Sequence, residues 1–353
     1  MTSTILDGIN KLTVATPRLT ASVLERPAVD AKSTVVFVHG NVSSSLFWQP
    51  TMLSLPSHVR ALAIDLRGFG DSETLPIDAT RGVRDFSDDV ESVLESLGVA
   101  SANIVGWSMG GGVVMQLLLD HPDRFLSLTV VSPVSPFGFG GTAGAEGRLL
   151  NEECSGTGGG GANPDFVARL EAGDTTADAP TSPRAVYRTT YVKNPDALVE
   201  HEDLWVASML STATGIDNYP GDGSPAEAWP GFGPGTRGVL NTMTPRYFNV
   251  SGIVDVADKP AILWIHGEDD AIVSDTSLFD LNFLGQLGAI PGWPGADVAP
   301  PQPMVTQTRA VFDRYVEAGG SYTELAWADC GHSAHLEHPE KFRDALTAHL
   351  VEG

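Results

Sequence analysis

The chain has 353 residues, of which 42% are hydrophobic and 18% charged, so there is apolar material for a large packed core and global disorder is excluded. Its formal net charge of −23 gives a surface that repels phosphate backbones and anionic lipid, which argues against nucleic-acid and membrane partners. Two cysteines, Cys154 and Cys330, make neither a disulfide framework nor a metal-ligand spacing, and free buried thiols are expected.

The first residues, MTSTILDGINKLTV, hold no uninterrupted apolar stretch after a basic start. No apolar run approaches the roughly 18 residues of a membrane span. The expectation is a soluble, cytoplasmic protein. Residues 11–25 alternate weakly and break at Thr16-Pro17-Arg18, which predicts a hairpin. STVVFVHG (33–40) is a continuous β-branched run ending in glycine, as in a strand buried on both faces. VRALAIDLRGFGDS (59–72) reads as a second such strand with a glycine-rich exit. Residues 83–98 carry apolar side chains at Val83, Phe86, Val90, Val93, Leu94 and Leu97, which is helical spacing, and Gly98 is placed to cap the helix. ANIVGWSMGGGVVMQLLL (102–119) begins as a strand and continues as an apolar helix, and FLSLTVVSP (125–133) is a further buried strand.

Strands alternating with helices predict a mostly parallel, doubly wound α/β sheet. The alternation lapses after Val134 into a segment rich in glycine, proline and aromatics, with a helical pattern at 196–210. That length predicts an inserted subdomain rather than a loop. The alternation resumes at KPAILWIHGEDD (259–270). A second proline- and glycine-rich insertion (286–303), a helix (306–320) and a last strand (321–332) follow. The division is therefore core 1–133, lid 134–256 and core 257–353.

Within 102–119 the sequence Gly106-Trp107-Ser108-Met109-Gly110 places a serine where a buried strand becomes a helix. A serine hydroxyl is a poor nucleophile until a base takes its proton. A tight strand-to-helix turn lifts the oxygen out of the sheet and turns helix N-terminal N–H groups toward it, and it demands small residues on either side. Ser108 is thus the candidate nucleophile. His332, directly after the last strand in DCGHSAHLEHPEKF, is the candidate base; His335 and His338 fall on a following helical turn, where solvated or capping histidines are common. Of the carboxylates after the penultimate strand, Glu268, Asp269, Asp270 and Asp275, Asp270 is chosen to orient the imidazole, with Asp269 next. Oxyanion donors are expected from the backbone N–H groups of Met109 and of Asn41 in HGNVSSS, with His39 supporting that loop. Trp107, Phe137 and Trp205 are candidate substrate-lining residues. The glycine run 158–161 lacks the Lys-Ser/Thr and the setting of a phosphate loop, and reads as a lid loop.

The stretches VVFVHGN, AIDLRGFGDS, IVGWSMGGG, ILWIHGEDDAIV and CGHSAHLEHPEKF together resemble the lid-bearing branch of the α/β-hydrolase family. The resemblance implies a Ser108–His332–Asp270 triad, an oxyanion hole at Asn41 and Met109, loop-structural roles for Asp65, Arg67 and Ser72, and no cofactor or metal. HGN also resembles the haloalkane dehalogenase branch, but that branch and the epoxide hydrolases need an aspartate where this chain has Ser108. The expected activity is hydrolysis of a small to medium, uncharged carboxylic ester. A lactone or a vinylogous diketone would use the same groups. A cofactor-free perhydrolase and a catalytically silent receptor are more distant readings.

Overall fold

A computed structural model describes residues 4–352. Eight strands form the central sheet: β1 (Asn10–Ala15), β2 (Thr20–Arg26), β3 (Ser33–Val38), β4 (Val59–Ile64), β5 (Ala102–Trp107), β6 (Phe125–Val131), β7 (Ile262–Gly267) and β8 (Tyr322–Trp327). Their order is β1-β2-β4-β3-β5-β6-β7-β8. β1 and β2 form the predicted hairpin, and β2 meets β4 antiparallel; every later pairing is parallel. The central strands are buried along their length, as their unbroken apolar runs require.

Helix α1 (Arg84–Ser96) buries Phe86, Val90, Val93 and Leu94. It ends in a Schellman cap: Gly98 at φ +66° donates to Glu95 O, and Val99 donates to Leu94 O. Helix α2 (Met109–Asp120) is buried almost all round against the sheet. From β3 the chain steps to β4 on one side, then returns to β5 on the other. The crevice at the carboxyl ends of β3 and β5 is therefore the switch point where open α/β sheets bind ligands.

The chain between β6 and β7 is an insertion of short elements. Helix α3 (Glu202–Leu210) begins six residues later than the helical pattern, because 195–201 is taken up by two 3-10 turns. Two-stranded pairs of two or three residues make up much of the rest. The insertion packs on the loop after β3: Trp205 lies 5.1 Å from Phe47 between ring centroids, and Ser208 Oγ is 2.6 Å from Ser44 Oγ. Of its acidic residues Glu171, Asp178, Glu200 and Asp203 are exposed and Asp174 is half-buried. Glu202 is buried between Arg184 and Arg188 (2.6 and 2.8 Å). Beyond β7, helix α4 (Met304–Glu317) and helix α5 (Pro339–His349) complete the layers. Among the described residues no helix is long and apolar enough to cross a membrane. Cys154 and Cys330 are free and buried.

Candidate active site

Ser108 occupies the single step between β5 and α2, at φ +58° and ψ −123°. A non-glycine residue there holds strain of about 1–3 kcal/mol, sustained only when the surroundings dictate it. Here they do. Ser108 N–H donates to Val131 O, and its carbonyl accepts from Gly111 and Val134. The flanking glycines are a matter of space. A Cβ on Gly106 would lie 2.4 Å from Gly110 O, one on Gly110 would lie 2.4 Å from His39 O, and one on Gly40 would lie 2.8 Å from Ser108 Cβ. The last contact also brings the loop after β3 directly over the serine, as the pairing of Val38 with Gly106 dictates.

Asp270 and His332 stand at the ends of β7 and β8. His332 Nδ1 is 2.8 Å from Asp270 Oδ2, with both side chains buried. The other carboxylate oxygen accepts from the backbone of Ile272 (2.8 Å) and Val273 (3.0 Å), so Asp270 cannot rotate away without breaking three bonds. Asp269 turns outward to Lys193 Nζ (2.9 Å). The indole of Trp107, the residue before the serine, donates to His332 O at 2.9 Å. Trp107 is enclosed by Phe47, Tyr191, His332 and His335, which makes it a prop for the histidine loop.

On the opposite side, His39 Nε2 accepts from Leu66 N–H, and its Nδ1 faces Gly40 O. Burial lowers the pKa of His39, which keeps it neutral and structural. Asn41 turns its side-chain oxygen onto Val42 N–H (2.9 Å). Met109 heads α2, where a backbone N–H has no acceptor within its helix. Asp65 accepts from Ser45 and Asp71, Ser72 Oγ donates to Asp65 O, and Arg67 pairs with Asp89 at 2.6 Å. All three side chains serve loop structure.

Trp205 is buried between Phe47 and His201. Phe137 is buried over Gly147, where a Cβ would fall 2.1 Å from its ring. His335 departs from the expectation of a solvated turn. It is fully buried, stacked on Trp48 at 4.3 Å and edge-on to Trp107 at 4.9 Å, and neither ring nitrogen has a partner. Desolvation, with His332 nearby, pushes its pKa down to about 3. His338 faces Asp329 O at 3.2 Å. Two residues of this site went unassigned in the sequence. Tyr191 was only one aromatic among several, and Glu337 lay inside the histidine motif; neither carries a local pattern that marks its contacts. Among the described residues no group of three or more His, Cys, Asp or Glu is placed to hold a metal ion.

Residues 33–144 match the family model for the alpha/beta hydrolase fold. Fold and family model together make the chain an α/β-hydrolase-fold protein. Carboxylesterase YbfK of Bacillus subtilis (strain 168) is 32% identical over 108 residues, which is 31% of this chain and 36% of that protein. The chain thus matches well under two thirds of that relative's length. Among solved structures, esterase RhEst1 from Rhodococcus sp. ECU1013 superposes with a TM-score of 0.57 at 18% identity, over 97% of this chain and 98% of that one. The 2-hydroxy-6-oxo-6-phenylhexa-2,4-dienoate hydrolase of Rhodococcus sp. strain RHA1 does so at 0.59 and 18%, with the same coverage. At such identities the likeness is one of fold.

Proposed function

We propose that the chain is a serine hydrolase that cleaves a carboxylic ester. Ser108 Oγ attacks the carbonyl carbon while His332 Nε2 takes its proton. Asp270, bound to Nδ1, keeps the imidazole in the required tautomer and stabilises the imidazolium that forms. The N–H groups of Asn41 and Met109 receive the oxyanion. His332 returns the proton to the leaving alkoxide, an acyl-enzyme remains, and water deprotonated by His332 releases the acid. The inserted segment 134–256 serves as the lid over Ser108. Its exposed carboxylates disfavour anionic substrates on approach, so the substrate is an uncharged ester of small to medium size.

The observation that carries this reading is the buried His332–Asp270 pair, joined through the Trp107 indole to a serine held in a strained strand-to-helix turn. The esterase names of the relatives agree with it. The test is Ser108→Ala, assayed on p-nitrophenyl esters and with a fluorophosphonate probe. The variant stays folded, is not labelled, and loses on the order of 10⁶ in kcat. A loss below about tenfold would remove Ser108 from the chemistry.

A further inference from the structure

One stretch of the inserted segment touches the loops after β3, β7 and β8. The wide helical turn Tyr187–Tyr191 runs into Val192, Lys193 and Asn194. The buried Tyr191 hydroxyl lies 3.1 Å from Asn41 O and 3.2 Å from Val42 O, on the loop after β3. Two residues on, the N–H groups of Lys193 and Asn194 donate to Glu337 Oε2 at 2.7 and 3.3 Å. The other oxygen of Glu337 accepts from Gly331 N–H at 2.7 Å, next to His332. Lys193 Nζ binds Asp269, next to Asp270.

Val42 supplies an independent reason to regard these contacts as more than packing. It is β-branched and sits at φ +45°, a conformation such residues rarely adopt. Its N–H is taken by the Asn41 side chain, and its carbonyl shares the Tyr191 hydroxyl with Asn41 O. Loss of that hydroxyl leaves a strained residue beside the Asn41 N–H with one restraint fewer. Burial raises the pKa of Glu337, opposed by the three N–H donors it receives. Its carboxyl is therefore spent on backbone positioning rather than on solvent.

We propose that residues 191–194 form a strap that seats the lid and aligns the site in one act, with Tyr191 as positioning residue for the Asn41 N–H and Glu337 as positioning residue for His332. This rests on the reading of Ser108 as nucleophile. The strap makes a correctly seated lid a condition for an aligned oxyanion hole, so reactivity depends on residues that never touch the substrate.

The test uses the whole protein. Tyr191→Phe keeps the ring against Phe47 and Trp107 and removes only the hydroxyl. The kcat for p-nitrophenyl acetate falls by about 10- to 100-fold with little change in KM, since displacing an oxyanion donor costs part of what deleting one does. Affinity for an alkyl trifluoromethyl ketone, whose adduct with Ser108 carries the same oxyanion, falls with kcat. Affinity for the corresponding alcohol does not. Glu337→Ala lowers kcat, and Glu337→Gln, which keeps one acceptor oxygen but turns an NH2 toward the remaining N–H donor, recovers only part of it. This second pair carries the test by itself should Tyr191→Phe not fold. Equal losses of ketone and alcohol binding, or a Tyr191→Phe rate equal to the parent's, would overturn the strap while fluorophosphonate labelling of Ser108 still stood. A parent that is not labelled at Ser108 would overturn both readings.

Discussion

His332 Nδ1 and Asp270 Oδ2 are 2.8 Å apart with both side chains buried, and Asp269, one residue away, faces outward to Lys193. Two adjacent carboxylates thus have different electrostatic work. Asp270→Asn leaves the loop in place but offers the imidazole an amide in place of a carboxylate. We expect a fall in kcat of about 10⁴-fold on any ester the parent hydrolyses. Asp269→Asn loses one half-exposed ion pair, an interaction of about 0–1 kcal/mol, and should leave kcat within a few fold. Steady-state kinetics of the two variants on one substrate decides the matter, and a reversed order would reassign the acid.

The elbow makes a prediction about stability. A methyl group on Gly110 would sit 2.4 Å from His39 O and 2.5 Å from Val38 O, both backbone atoms of a strand and loop packed on all sides. Nothing there can swing away, so Gly110→Ala should destabilise the fold by about 3 kcal/mol or more. Gly98→Ala is the control. No atom lies within 4 Å of its Cβ position, and only the φ of +66° resists the change. The cost there is about 1–2 kcal/mol. Denaturant unfolding of both variants measures the difference.

How much of this was legible in the sequence depended on how local the cause was. β3, β5 and β7 read directly, since strands covered on both faces must be apolar throughout. Helix α1 read from its periodicity and from Gly98. That the loops carrying Ser108, His332 and Asp270 meet at one edge was legible because the order of strands brings them there. The inserted segment read only as an insertion. Its strands are two or three residues long and rich in glycine and proline, too short for any period to register. Nothing local marks Glu202 as buried, since its partners Arg184 and Arg188 come from 18 and 14 residues earlier. His335 looked like a surface turn because its neighbours Trp48 and Trp107 are contributed by distant loops.

Trp205 tests whether the lid aromatics line a pocket or seal a seam. Its indole is 2% exposed, packed on Phe47 from the core side and on His201 from the turn just before its own helix. That is a seam. Trp205→Ala should cost about 3–5 kcal/mol of stability. Any loss of rate at a temperature where it remains folded should be shared by p-nitrophenyl acetate and a bulkier ester. A change confined to the bulky ester would instead put the indole against the substrate.

His335 should make the protein sensitive to acid, and the sign follows from its surroundings. The ring is buried among Trp48, Trp107 and Phe342 with no hydrogen-bond partner, and its pKa is pushed down from 6.5 to about 3. Between those values the unfolded chain binds a proton at this position and the folded chain does not, so stability rises with pH and is lost as pH falls from about 6.5 toward 3. His39 and His349, also lowered by burial, act in the same direction. Asp280 and Glu337, raised by burial, act oppositely: in the window just above the ordinary carboxylate range their ionisation opposes folding as pH rises. Comparing parent and variant cancels these other groups. His335→Met replaces an unpaired polar ring with a side chain that suits an apolar enclosure and cannot titrate. The variant should be as stable as the parent or more so at pH 7, because no hydrogen bond is lost. Its melting temperature should then fall less steeply than the parent's between pH 6.5 and pH 4. Parallel curves for the two proteins would mean that His335 is protonated in the folded state, and that its cage admits water or a counter-ion.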